Sequence, residues 1–225
     1  MGGLFVARSP ALASLSGLGS ARIGMLRLQE LGMGDLSGLE QVSVETELDI
    51  WAAPQLVSLR GLPQLGPDTD LSLIEAPSLT DAQALEVVTA LGALTLQKTS
   101  LAQLAAPGLQ RLRSLIVWQN PELVQLSLAA LRTVDQLRIL ANDSLLRLDL
   151  RTLESVREIE ITNNYDLYEP SLDPLLELGA ARALIDSNGG RPARLDPCPW
   201  LADGLCDETG RVCAVRTDAT DCGGL

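Results

Sequence analysis

No histidine occurs anywhere in this chain of 225 residues, and lysine occurs once, at Lys98, against sixteen arginines. The commonest general base and the commonest metal ligand are therefore both missing. Aromatic residues make up 3% of the sequence although apolar residues make up 46%, so any core is aliphatic, chiefly leucine. No uninterrupted apolar run reaches the roughly 18 residues that a spanning helix needs, so no membrane-spanning segment is expected. The opening residues Met1-Gly2-Gly3-Leu4-Phe5-Val6-Ala7-Arg8 lack a basic stretch followed by a long apolar one, and do not read as an export signal. Positive charge is scarce as well. A formal net charge of −12 disfavours nucleic acid and anionic lipid, which both recruit clustered Lys and Arg. No G-x-S-x-G, Walker loop, dinucleotide fingerprint or H-E-x-x-H is present, and no triad can form without histidine. An enzyme is not expected; carboxylate pairs such as Glu158 and Glu160 read as ordinary surface on a strand.

What is present is a repeat. The segment LDIWAAPQL, opening at Leu48, carries apolar residues at its first, third and ninth positions. The same register opens at Leu71 (LSLIEAPSL), Leu115 (LIVWQNPEL), Leu137 (LRILANDSL) and Ile159 (IEITNNYDL), and in weaker form at Leu94, Leu26 and Leu4. A degenerate copy, LIDSNGG, is placed at Leu184. The starts 4, 26, 48, 71, 94, 115, 137, 159 and 184 are separated by 21 to 25 residues throughout. Eight of the nine copies have apolar residues at both the first and third positions.

Each coil has a physical reading. Alternation such as Leu48-x-Ile50 marks a short strand with one buried face. Pro10, Pro54, Pro77 and Pro121 fall at the seventh position, where a residue without an amide hydrogen ends the strand. Asparagine takes the sixth position at Asn120, Asn142 and Asn164, where stacked side chains can hydrogen-bond neighbouring turns in a ladder. A second apolar set, such as Leu123, Leu126 and Leu128, points to another inward side. One coil cannot bury its own apolar face, so stacking supplies the stability. The expected fold is mainly β: a right-handed leucine-rich β-solenoid of about nine coils over residues 1–190, on the order of 40 Å long at one strand spacing per coil. Helix is expected only in short pieces, within Asp81–Leu91 and Leu172–Leu184.

The pattern L-x-I-x-x-x-P-x-L, with the pieces LVSLRGLPQL and LVQLSLAAL that follow it, resembles the receptor L-domain. That is the leucine-rich β-solenoid of insulin- and epidermal-growth-factor-receptor ectodomains, found also in bacterial surface proteins. The resemblance covers about residues 4–188 and implies a fold without naming a ligand. The glycine often found before the strand in that family is largely absent here, as are the family's own disulfides. A repeat that opens at Leu4 leads us to expect further sequence upstream, including an export signal.

Residues 191–225 form a second region, an acidic tail with Cys198, Cys206, Cys213 and Cys222. A segment with so little apolar content needs covalent or metal staples. The spacing lacks the close cysteine pairs of a zinc knuckle, so two disulfides are favoured over zinc, with the pairing open. Disulfides imply an extracytoplasmic location. The arrangement of Asp203, Asp207, Asp218 and Asp221 around these cysteines is similar to the calcium-binding Lin12/Notch repeat, with two of that module's six cysteines missing. The similarity implies calcium as a cofactor; otherwise the tail is an acidic, pinned loop.

Second and fourth positions of each strand point outward. Trp51, Ile74, Trp118 and Leu140 at fourth positions, with Ile116 at a second, are expected to form an outward apolar stripe, with Arg27, Arg138 and Glu160 as a polar rim. Contiguous exposed apolar surface marks contact with something, and tryptophan is favoured at such contacts. The functional expectation is a non-catalytic binding module of an exported bacterial surface or envelope protein, recognising protein or glycan. The alternative is a passive structural spacer of the envelope.

Overall fold

The computed structural model describes residues 2–167 and 172–189. They belong to one compact unit, Met1–Gly190; the other unit, Arg191–Leu225, lies outside the described residues. The chain is a parallel β-solenoid. In chain order the first strands are β1 (Gly3–Ser9), β2 (Arg22–Leu31), β3 (Ser43–Trp51), β4 (Gln64–Leu65), β5 (Asp70–Ala76) and β6 (Ala93–Thr99). They are followed by β7 (Gln103–Ala105), β8 (Arg111–Trp118), β9 (Gln125–Ser127), β10 (Thr133–Leu140), β11 (Arg147–Asp149), β12 (Ser155–Thr162) and β13 (Arg182–Asp186).

The main sheet runs β1-β2-β3-β5-β6-β8-β10-β12-β13, so nine strands are joined by about eight full turns of the chain. Strands β7, β9 and β11 form a second, three-stranded parallel sheet, which is the further inward side expected from Leu123, Leu126 and Leu128. Among the described residues helix is confined to short pieces. Within Asp81–Leu91 only Gln83–Val87 winds, as a 3-10 turn, and near Leu172 only Asp173–Leu176 is α-helical. Both short pieces fall within the expected segments, and the end of the second segment belongs to Arg182–Asp186, the last strand of the main sheet.

Register follows the leucines. Leu4 faces Leu26, which faces Leu48, and the series continues through Leu71, Leu94, Leu115, Leu137 and Ile159. From Leu26 to Leu137 these first-position side chains are fully buried, and the third-position column from Leu28 to Ile161 is nearly so. Each buried leucine contributes roughly 2 kcal/mol of apolar transfer, but only because the coils on both sides complete its surroundings. The end strands show this: among the described residues, Leu4 and Val6 in β1 and Ile185 in β13 have one neighbouring strand and are only half-buried.

The last copy departs from expectation by one residue. Ile159 pairs with Ala183 and Ile161 with Ile185, so this coil opens at Ala183 and not at Leu184. Side chains alternate along a strand, so a one-residue shift exchanges the two faces. Leu184 therefore faces outward and is 53% exposed.

A left-handed residue stands at the end of each of these nine main-sheet strands. Arg8, Glu30, Ala52, Glu75, Lys98, Gln119, Ala141, Asn163 and Ser187 all have φ between 50° and 60°, and each stands at the fifth position of its coil. None is glycine. The conformation costs about 1–2 kcal/mol for a residue with a Cβ, and the stack holds it in place. Ala141→Gly should therefore stabilise the fold by about 0.5–1 kcal/mol, the relief being reduced by glycine's greater unfolded entropy. Thermal melting checks this, with a rise of about 1–4 °C expected.

The turn also builds the asparagine ladder, which is longer than the three rungs read from the sequence. Asn120, Asn142, Asn164 and Asn188 are all buried. Nδ2 of Asn142 donates to Leu140 O (3.1 Å) in its own coil, to Val117 O (3.0 Å) in the previous coil and to Asn164 Oδ1 (3.1 Å) in the next. Its Oδ1 accepts from the backbone N–H and the Nδ2 of Asn120, at 3.0 and 3.1 Å. The same pattern repeats at Asn164. At the N-terminal end of the ladder Thr99 gives its N–H and hydroxyl to Asn120 Oδ1. Earlier coils place Ala53 and Ala76 at this position, both buried, and the chain packs there without side-chain hydrogen bonds.

Candidate functional site

The ladder and the inward leucines fix the backbone of β3, β5, β6, β8 and β10, and so fix what these strands present outward. Trp51 pairs with Ile74, Ile74 with Gln97, Gln97 with Trp118, and Trp118 with Leu140. These five residues form a single row crossing five strands, close to 19 Å long at about 4.8 Å per strand. Trp51 is 44% and Trp118 39% exposed, while Ile74, Leu140 and Ile116 are partly buried beside them. All five expected stripe residues thus lie on one face, with Ile116 in the row next to Trp118. Gln97 bridges the two tryptophan-containing halves.

Charges fall at the margins of this row. Rows two and four of the coils opening at Leu71, Leu94 and Leu115 carry Ser72, Ile74, Thr95, Gln97, Ile116 and Trp118, none of them ionisable. At one end Arg27 pairs with Glu47 at 2.9 Å and lies 3.9 Å from Asp49. At the other, Arg138 donates to Glu160 at 2.6 Å. Arg113 crosses two coils to meet Asp70 at 2.6 Å. Of the three rim residues expected from sequence, Arg138 and Glu160 pair with each other, and Arg27 is matched by Glu47 and Asp49. Exposed pairs of this kind add little stability, but they engage the arginines beside the apolar row in ion pairs.

Beside Trp51 stands an ion pair that the sequence reading did not select: Lys98 Nζ donates to the Glu75 carboxylate at 2.8 Å. The Lys98 hydrogen bond and charge, with Trp51 adding less, hold the Glu75 carboxyl below its ordinary range. Glu75 and Lys98 occupy the left-handed fifth position. By simple alternation that position would point inward, and the charged residues found there were the readable sign that it does not.

Asp49 has the opposite character. Burial pushes its carboxyl up, Glu47 adds to the rise, and Arg27 opposes it. A carboxyl whose pKa is raised on folding costs stability when ionised. That cost is full above the folded pKa and vanishes below the unfolded one. Asp49→Asn should therefore raise the melting temperature slightly near pH 7, and the gain should disappear as pH falls through the carboxylate range. Paired melts across that range measure it.

Compared with protein-family models, curated proteins and solved structures, the chain matches none. Among the described residues no group of acidic side chains could hold a metal ion, and no helix is long and apolar enough to cross a membrane. The expected calcium residues Asp203, Asp207, Asp218 and Asp221, and the cysteines Cys198, Cys206, Cys213 and Cys222, lie outside the described residues.

Proposed function

We propose that this chain is a non-catalytic binding module of an exported bacterial surface or envelope protein, and that it recognises a protein or glycan through the main sheet. The observation that carries the reading is the row of Trp51, Ile74, Gln97, Trp118 and Leu140, with both indoles substantially open and the flanking charges already paired. Desolvating such a surface loses little hydration of charge, and an indole presents a large rigid area at low entropic cost. The solenoid is read as receptor L-domain-like. The extracytoplasmic placement rests on the four clustered cysteines, and the same tail is proposed to form two disulfides and to take calcium.

The test compares the wild type with the double variant Trp51→Ala/Trp118→Ala against a glycan array and a panel of purified exported proteins. The reading expects a ligand whose affinity drops about ten-fold or more in the double variant, a loss of ~1.4 kcal/mol or more. Melting of the two proteins should stay within a few degrees, because both side chains are on the solvent face. Equal binding by both proteins, or no ligand in either panel, would favour a passive spacer.

A further inference from the structure

The ladder ends on Asn188, and the residue that follows is Gly189. Of the five asparagines in the chain it alone precedes glycine; the other rungs precede Pro121, Asp143 and Tyr165. An asparagine before glycine is chemically vulnerable, because the next backbone nitrogen can attack the side-chain carboxamide with no side chain to obstruct ring closure. We propose that Asn188 is a conformationally gated deamidation site: protected while the last coil is docked, converted when that coil opens, and unable to re-dock once converted.

Both reacting groups are restrained in the folded chain. The attacking N–H of Gly189 is committed to Asn164 O at 3.1 Å. The carboxamide it would attack is held at both ends. Asn188 Oδ1 accepts from Asn164 N and Nδ2 at 3.2 and 2.9 Å, and Asn188 Nδ2 donates to Ile161 O at 2.7 Å. Only 4% of the residue is exposed. Gly189 has φ +64°, where the coils opening at Leu4, Leu48, Leu71 and Leu115 place a proline, so the departing backbone takes a left-handed turn that favours glycine, and the vulnerable pair comes with it.

The gate is the last coil. Among the described residues β13 pairs with β12 alone. Ala183, Leu184 and Asp186 are exposed and Ile185 is half-buried, so little apolar area holds the strand down. Terminal elements of this kind open at a fraction of the global unfolding free energy.

In the open state Gly189 N forms a bond to Asn188 Cγ, the Cγ–Nδ2 bond breaks, and ammonia leaves with the proton that Gly189 N gives up. Water then opens the cyclic imide. Addition at Cγ gives aspartate, and addition at the main-chain carbonyl gives isoaspartate, with no change of oxidation state. Either product damages the last rung. Aspartate has lost the donor to Ile161 O and sets a buried charge against that carbonyl. Isoaspartate lengthens the backbone by one atom, so Gly189 no longer meets Asn164 O.

The test follows deamidation of the full chain by peptide mass mapping at mildly alkaline pH, natively and in urea, with amide exchange measured on the aged native sample. Asn188 should convert at least roughly ten-fold more slowly natively than in urea, as for an opening equilibrium that disfavours the open state. Ile185→Ala should raise the native rate toward the urea rate. Asn120, Asn142 and Asn164 should stay intact natively, and converted molecules should lose exchange protection in β13 while β5 to β10 keep theirs. Equal native and urea rates, a native rate unmoved by Ile185→Ala, or converted molecules with β13 still protected would each overturn the proposal.

Discussion

Asn142→Ala should destabilise the solenoid by about 4 kcal/mol, although it removes only one small buried side chain. The truncation deletes the donor shared by Val117 O, Leu140 O and Asn164 Oδ1, and the acceptor used by Asn120 N and Nδ2. Each buried group left without a partner costs about 1–3 kcal/mol, and the losses within one network do not simply add. Chemical denaturation at neutral pH measures this. Asn142→Asp sharpens the prediction. A carboxylate keeps the acceptor but turns an oxygen toward two carbonyls, so the variant should be the weaker of the two near pH 7. Its folded pKa must then lie above the unfolded one, and acidification should recover stability relative to wild type as the carboxyl protonates and regains a donor. The comparison must be made at each pH. The wild type itself loses support in acid, where Asp35, Asp81 and Glu75 give up the hydrogen bonds that keep their carboxyls below the ordinary range.

Leu115→Ala should cost about 3–4 kcal/mol, the range found where a buried leucine is truncated and the site cannot collapse. Leu115 is fully buried, and its strand is flanked by β6 and β10, so the cavity would open into the column of Leu94 and Leu137. The melting temperature should fall on the order of 10 °C. Ile185→Ala, at an end of the same stack, should cost much less. In a stack the energy of one coil resides largely in its two interfaces, and Ile185 completes only one among the described residues.

Much of this architecture was legible because the apolar period is about 22 residues, long enough for eight strand starts to be placed in register by a leucine or isoleucine at the first position. The outward row of Trp51, Ile74, Trp118 and Leu140 followed directly from that register. The ninth start failed for a physical reason. Leu184 is a better core residue than Ala183, so apolarity taken alone favours the wrong face. The residues after Leu184 already spoke against it. That choice put Asp186 at the inward third position, whereas Ala183 gives Ile185 there and Asn188 at the sixth, completing the ladder.

The left-handed fifth position was not foreseen, because the usual signal for positive φ is glycine and none of the nine residues is glycine. Here neighbouring coils impose the conformation, and local sequence has no marker for it beyond charged residues where alternation expects apolar ones. The Glu75–Lys98 pair beside Trp51 was missed for the same cause. The ion pairs Arg113–Asp70 and Arg27–Glu47 depend on distances between coils that only the stacked geometry supplies.

The central claim is that successive coils stack with their asparagines in contact, rung on rung. Nuclear magnetic resonance of the side-chain amides tests it most directly. Asn120, Asn142, Asn164 and Asn188 should give slowly exchanging NH2 signals, with cross-peaks linking Asn142 to both Asn120 and Asn164 and linking Asn164 to Asn188. Rapidly exchanging amides with no contact between residues 22 or 24 apart would contradict the stack.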